Sequence, residues 1–173
     1  MRRPLARGVL RAGDIVGLDF GVCYHGYFGD SAMTVPVGPV TPEAERLIQT
    51  TRAALEAAIE TVRAGAHVSD ISAAVQDTAE GAGYSVVREF VGHGIGRSLH
   101  EDPQVPNYRT GNRGVRLQEG LVLAIEPMVN AGRPEVYLKE DGWTAVTRDG
   151  RLSAHFEHSV AVTADGPYIL SLP

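Results

Sequence analysis

The sequence predicts an α+β fold: a mixed, mainly antiparallel sheet covered by helices, in a single domain over residues 1–173. Three observations predict it. A pair of strand-like runs opens the chain, two punctuated amphipathic helices follow, and short strand candidates separated by Asp-Gly turns fill the rest.

Residues Ile15–Phe20 and Tyr27–Val35 read as two strands around a turn near Tyr24-His25-Gly26. In a regular hairpin Asp19 and Asp30 would face each other to within about a residue. Directly opposed Cβ atoms lie roughly 4.5–5.5 Å apart, so both carboxylates would reach a common metal pair. Taken alone, two such aspartates are as readily turn formers or solvated edge charges.

The first helix has Thr41 as its N-cap, Pro42 at its first position, and Glu43 and Glu45 at its positive end. Leu47, Ile48, Thr51, Leu55, Ala58, Ile59 and Val62 follow a 3.6-residue period, and Gly65 is expected to stop the run. A second helix is expected from Ser69-Asp70, with Ile71, Ala74, Val75 and Ala79 on one side, ending at Gly81 or Gly83. Both read as covers for a sheet. The remaining strand candidates are Tyr84–Val87, Leu121–Glu126, Glu135–Leu138, Trp143–Thr147, Leu152–Thr163 with a bulge, and Tyr168–Leu170. Turns at Asp141-Gly142, Asp149-Gly150 and Asp165-Gly166-Pro167 separate several of them.

A chain of 173 residues can bury roughly two-thirds of its unfolded surface in one core. Its net charge of -5 offers no basic patch for nucleic acid. Arg2, Arg3, Arg7 and Arg11 make a small basic start, but no signal-like apolar run follows. Nothing approaches the roughly 20 apolar residues of a membrane span. The single cysteine, Cys23, excludes an intrachain disulfide and fits a reducing compartment, so the expectation is a soluble cytoplasmic protein.

Chemistry concentrates in three places besides the hairpin. Gly92-His93-Gly94-Ile95-Gly96-Arg97 superficially resembles a phosphate loop, but no helix pattern follows and Pro103 arrives early. The better reading is that glycines let the backbone turn closely around His93, with His100 seven residues on. Leu121–Ile125 is a continuous apolar strand ending in Glu126, and a carboxylate there is costly unless paired or metal-bound. Glu157 follows Phe156 and precedes Val160 and Val162, an inward set, while neighbouring His155 and His158 stay undecided between site and surface. Asp19, Asp30, His93, Glu126 and Glu157 thus form a hard, oxygen-rich set suited to Mn, Fe or Co and able to hold Zn. Four carboxylates are too many for one ion and suit two ions sharing a water, the arrangement of two-metal hydrolysis.

Gly13-Asp14-Ile-Val-Gly-Leu-Asp19-Phe, Gly29-Asp30-Ser31, Gly92–Arg97 with His100-Glu-Asp-Pro103, Ile125-Glu126-Pro-Met-Val-Asn130, Asp141-Gly-Trp143-Thr and Phe156-Glu157-His158 together resemble the type I methionine aminopeptidases. The resemblance runs from about Leu10 onward, with the motifs in order. The short interval from Glu126 to Glu157 resembles type I and not type II, and Glu126-Pro-Met-Val-Asn favours this branch over prolidase and creatinase relatives. It implies the pita-bread fold with a dinuclear centre between two pseudo-symmetric halves. It also implies removal of the initiator methionine from nascent chains with a small second residue. By the same resemblance Asp19 would chelate one metal, Asp30 and Glu157 would bridge, and His93 and Glu126 would hold the other. Glu126 would also pass protons to the leaving amine. His100 would bind the scissile amide, and Leu99 and Trp143 would lie near the methionine pocket.

The family's pattern continues upstream of the Asp19 strand, with a further catalytic histidine in a His-Gly segment and one pocket wall. Only eighteen residues precede Asp19 here, and none is histidine. The expectation is therefore an N-terminally truncated domain, whether by truncation, a mis-assigned start or a split enzyme, with an exposed apolar face that favours self-association. The alternative function is an impaired, metal-stabilised module that binds a peptide or protein without cleaving it.

Overall fold

Strands β1 (Ile15–Tyr24) and β2 (Tyr27–Pro36) are joined by His25 and Gly26, at φ 49 and 81. Two consecutive positive φ angles define the tight turn whose twist matches paired strands. The computed structural model describes residues 9–172; Arg2, Arg3 and Arg7 lie outside them. The hairpin register pairs Asp19 with Ala32 and Gly21 with Asp30. The two aspartates are therefore two residues out of register, not within one, because the turn occupies two residues and both strands run to it.

Helix α1 (Pro42–Glu60) begins as its sequence directs: Thr41 accepts a hydrogen bond from the Ala44 N–H at 3.2 Å. It ends at Glu60, short of the expected stop. Val62 is buried beyond the helix, and Gly65, at φ 93, turns the chain so that its N–H reaches the Leu117 carbonyl. Helix α2 (Val68–Gly81) starts one residue before the expected Ser69, and the Asp70 carboxylate accepts from the His67 N–H at 2.8 Å.

Ten further strands follow: β3 (Ser85–Val86), β4 (Gly92–Gly94), β5 (Glu101–Val105), β6 (Val122–Ile125), β7 (Met128–Asn130), β8 (Val136–Leu138), β9 (Ala145–Thr147), β10 (Ser153–His155), β11 (Glu157–Thr163) and β12 (Gly166–Ile169). The main sheet runs β1-β2-β11-β6-β4-β5, with β12 also paired to β11. β10-β7-β3 form a second small sheet and β8-β9 a separate hairpin. Every described ladder is antiparallel.

The expected strand Leu152–Thr163 is two strands. It breaks at Phe156, whose N–H turns to the Pro127 carbonyl and whose ring is buried under the Arg52 guanidinium. β4, β5 and β7 lie in stretches with no strand expectation.

Both helices lie on one side of the sheet, and the core gathers Leu47, Leu55, Ile71, Val75, Leu123, Ile125, Val129 and Val160 between them. Each such fully buried aliphatic contributes about 1.5–3 kcal/mol. The helices cover the central strands on that side, and the ionisable residues paired across the sheet gather on the other face.

Candidate metal centre

The site follows from strand registers. Residues two apart on a strand share a face. Across neighbouring strands, Gly21 pairs with Asp30, Ser159 pairs with Ala124, and Ala124 pairs with His93. Ser159 lies beside Asp30: its hydroxyl donates to the Asp30 carbonyl at 2.8 Å and accepts from the Asp30 N–H at 2.9 Å. One row across five strands therefore reads Gly21, Asp30, Ser159, Ala124, His93. The adjacent row pairs Asp19 with Ala32 and Ala32 with Glu157, and Glu126 follows Ile125, the residue paired with His158. Small residues, Gly21, Ser159 and Ala124 in one row and Ala32 in the other, lie between ionisable ones. They leave room over a sheet whose strands lie about 4.8 Å apart.

The result is a cavity of about 520 Å³ lined by Asp19, Gly21, Asp30, His93, Leu99, His100, Glu126, Trp143 and Glu157. Every residue singled out in the sequence for metal, catalysis or substrate lines this one cavity. Asp30, His93 and Glu157 are buried, and each offers a ligand atom within 4.8 Å of the other two. The Glu126 Oε1 lies 3.5 Å from the His93 Nε2, and the His93 and His100 rings meet edge to face with centroids 4.4 Å apart. Asp19, His100 and Trp143 are exposed at the rim, and Leu99 is half-buried.

His93 is held by close backbone approach. A Cβ on Gly92 would run into the Ala124 carbonyl oxygen and lie 3.2 Å from Val105; one on Gly94 would run into the Asp102 carbonyl. Only glycine on both sides lets β4 sit between β5 and β6. The His93 Nδ1 donates to the Gly94 carbonyl at 2.9 Å, which leaves the Nε2 lone pair toward the cavity, the form that binds a metal.

Electrostatics favour a cation. Burial, then repulsion from Asp30 and Asp19, raises Glu126 to about 8. Burial, then repulsion from Glu126, Asp30 and Asp19, raises Glu157 to about 9. Asp30 is raised by burial and by Asp19, and burial lowers His93. The Glu157 Oε1 is buried with no hydrogen-bond partner. Four carboxylates held this closely, one with an orphaned oxygen, are costly without positive charge among them. The donor set therefore fits divalent ions.

The two histidines left undecided separate cleanly. His155 is half-buried and its Nε2 lies 3.6 Å from the Glu126 Oε2. His158 shares a face with Val160 and Val162, opposite Glu157, and its Nδ1 pairs with the Ser171 hydroxyl at 2.8 Å. Val160 and Val162 thus do not extend the Glu157 face; β11 is buried on both sides.

Three contributors carried no expectation. Gly21 makes room beside Asp30, Ser159 clamps the Asp30 backbone, and buried Asn107 donates to the Glu126 carbonyl at 3.1 Å. A glycine inside a strand pattern is a signal of close approach. A neutral serine or asparagine carries none.

Residues 2–164 match the model of metallopeptidase family M24. The chain is 49% identical over 169 residues to methionine aminopeptidase A of Synechocystis, covering 98% of this chain and 67% of that protein. It is 51% identical over 163 residues to a methionine aminopeptidase of Clostridium perfringens, covering 94% and 66%. The chain thus spans about two-thirds of the length of these relatives. The crystal structure of methionine aminopeptidase from Thermotoga maritima superposes with a TM-score of 0.95 at 48% identity, covering 99% of this chain and 69% of that one. The pita-bread fold expected from the sequence is the fold observed. With a family match across nearly its whole length and close to half its residues shared with these enzymes, the chain belongs to metallopeptidase family M24.

Proposed function

We propose that this chain is a methionyl aminopeptidase domain, removing the N-terminal methionine from nascent proteins with a small second residue. The observation that carries the reading is the convergence of Asp19, Asp30, His93, Glu126 and Glu157 on one cavity, with a buried, unpartnered Glu157 oxygen. These five residues would hold two divalent ions, drawn from Co, Mn, Fe and Zn. When bound, such ions lower the pKa of a water and polarise the scissile carbonyl.

The chain's own groups supply the rest. Glu126 sits inside the cavity, where its carboxylate would take a proton from the attacking water and give it to the leaving amine. His100, at the rim beside His93, would donate to the scissile amide and to the developing oxyanion. Leu99 and Trp143 add apolar surface to a cavity otherwise lined by charge, where a methionine side chain would pack. This reading places the protein in the cytoplasm, where nascent chains are processed; no described helix is long and apolar enough to cross a membrane.

Self-association belongs to the same proposal. Phe20, Val22 and Tyr24 alternate along one face of β1, with Tyr27 and Met33 beside them on β2, all exposed. An apolar face of that extent supports a homo-oligomer.

The deciding experiment incubates a Met-Ala-Ser peptide with the chain and added Mn or Co, beside an Asp30→Ala variant. Release of methionine by the parent chain and not by the variant is the expected result. No metal-dependent release would leave the reading of a metal-stabilised peptide-binding module.

A further inference from the structure

The Glu126 carboxylate is flanked by two imidazoles, one at each oxygen: His93 Nε2 lies 3.5 Å from Oε1 and His155 Nε2 lies 3.6 Å from Oε2. His93 is already accounted for as a ligand. His155 is not: it does not line the cavity, and its Nε2 is buried without a hydrogen-bond partner. A buried ring N–H without an acceptor is costly, and the nearby carboxylate is a strong acceptor. We propose that His155 is a positioning residue whose Nε2–H holds the outer oxygen of Glu126, so that Oε1 stays turned toward His93 and the metal.

The ring is placed for that task from its backbone outward. The His155 N–H donates to the Thr34 hydroxyl at 2.9 Å, and that hydroxyl donates to the His155 carbonyl at 2.9 Å. His155 pairs with Met128 across the β10·β7 ladder, two residues past Glu126 on the neighbouring strand. The chain breaks between β10 and β11 at Phe156, so His155 approaches Glu126 from the second sheet while Glu157 approaches from the main one. One carboxylate oxygen thus faces His155 and the other faces the cavity beside His93, while the backbone carbonyl is fixed separately by Asn107. A ligating carboxylate free to rotate would lose part of its affinity, and outer partners of metal ligands commonly account for 10–100-fold.

The inference rests on the metal reading of the site, and the test separates the two. Mn affinity is measured by titration calorimetry for the parent, His155→Gln, which keeps an N–H donor, and His155→Phe, which keeps the ring shape without one. The expected result is a 10–100-fold weakening in the Phe variant and recovery to within about threefold in the Gln variant. The melting temperatures of the metal-free Phe and Gln variants should be alike. Phe binding Mn as tightly as the parent would overturn the proposal, as would equal weakening by Phe and Gln. If the Phe variant does not fold, His155→Met, which also lacks a donor, takes its place against Gln. A parent that binds no Mn refutes the metal reading. Nitrogen NMR of the metal-free protein at about pH 10, with Glu126 ionised, then decides the positioning claim. A proton on His155 Nε2 sustains it and one on Nδ1 overturns it.

Discussion

Asp30 stands directly opposite Gly21, not opposite Asp19, and a Cβ built on Gly21 would lie 3.6 Å from the Asp30 Oδ1 and 3.4 Å from the Leu99 Cδ1. The missing side chain is what opens the cavity between the two aspartates. Those distances are ordinary contact, so Gly21→Ala should keep metal affinity within about threefold, whereas Gly21→Leu should fill the space and weaken it at least tenfold. Calorimetric titration with Mn, alongside melting curves to show both variants folded, checks this.

Stability of the metal-free protein should fall as pH rises. Glu126 and Glu157 are raised from an ordinary 4.5 to about 8 and about 9 in the folded state. Between those limits the folded state holds protons that the unfolded state has released, so the slope of unfolding free energy with pH is negative. The loss begins above about pH 4.5 and is complete above about pH 9. Melting temperature measured from pH 7 to 9 with a chelator present, above the range where the burial-lowered His93, His155 and His158 act in the opposite sense, should decline, less steeply in Glu157→Gln. A rise over that range attributable to these groups would contradict the burial argument.

Gly94→Ala should be among the more damaging single-methyl changes in the protein. The added carbon would overlap the Asp102 main-chain carbonyl, which cannot swing away as a side chain can. Overpacking typically costs about 1–3 kcal/mol, and backbone collision puts this case at the upper end or beyond. Chemical denaturation gives the stability change, and loss of metal affinity would report displacement of His93.

His100→Ala should separate chemistry from metal binding. The ring is exposed at the rim and is not among the close ligand group. Removing an oxyanion donor typically costs about 10²–10³ in kcat, so activity should fall by that order while Mn affinity changes less than threefold. An equal fall in metal affinity would instead make His100 a support for His93.

Light scattering at micromolar concentration should find the chain associated. Phe20 and Tyr24, about 70% exposed on one strand face, are the residues that make the hairpin's outer surface apolar. A Phe20→Ser, Tyr24→Ser double variant should shift toward monomer without loss of Mn binding. A parent that is cleanly monomeric would remove the argument for self-association.

Much of the candidate site was legible from residue chemistry because its ionisable groups are few and expensive to bury. A glutamate ending an apolar strand at Glu126, or following a buried aromatic at Glu157, has few other reasons to be there. Glycines around His93 likewise announced a close backbone approach, and the structure supplies what they approach: the Ala124 and Asp102 carbonyls. The front hairpin and α1 were equally plain, since their turn and cap are written in neighbouring residues. β4, β5 and β7 were not, because three- to five-residue strands carry too little alternation and owe their existence to partners far along the chain.

The sequence by itself determined which groups could bind metal, the first helix with its Thr41 cap, the presence of the second, and the tight turn near His25-Gly26. Tertiary structure decided which of those groups meet. Strand side chains alternate with a period of two, so one residue of slip or one break reverses every facing. The break at Phe156 sends His155 to Glu126 and His158 to Ser171, though only two residues separate them in the chain. The two-residue turn likewise sets Asp30 against Gly21. Pairings between distant strands, not local preference, brought five scattered carboxylate and imidazole groups into one cavity.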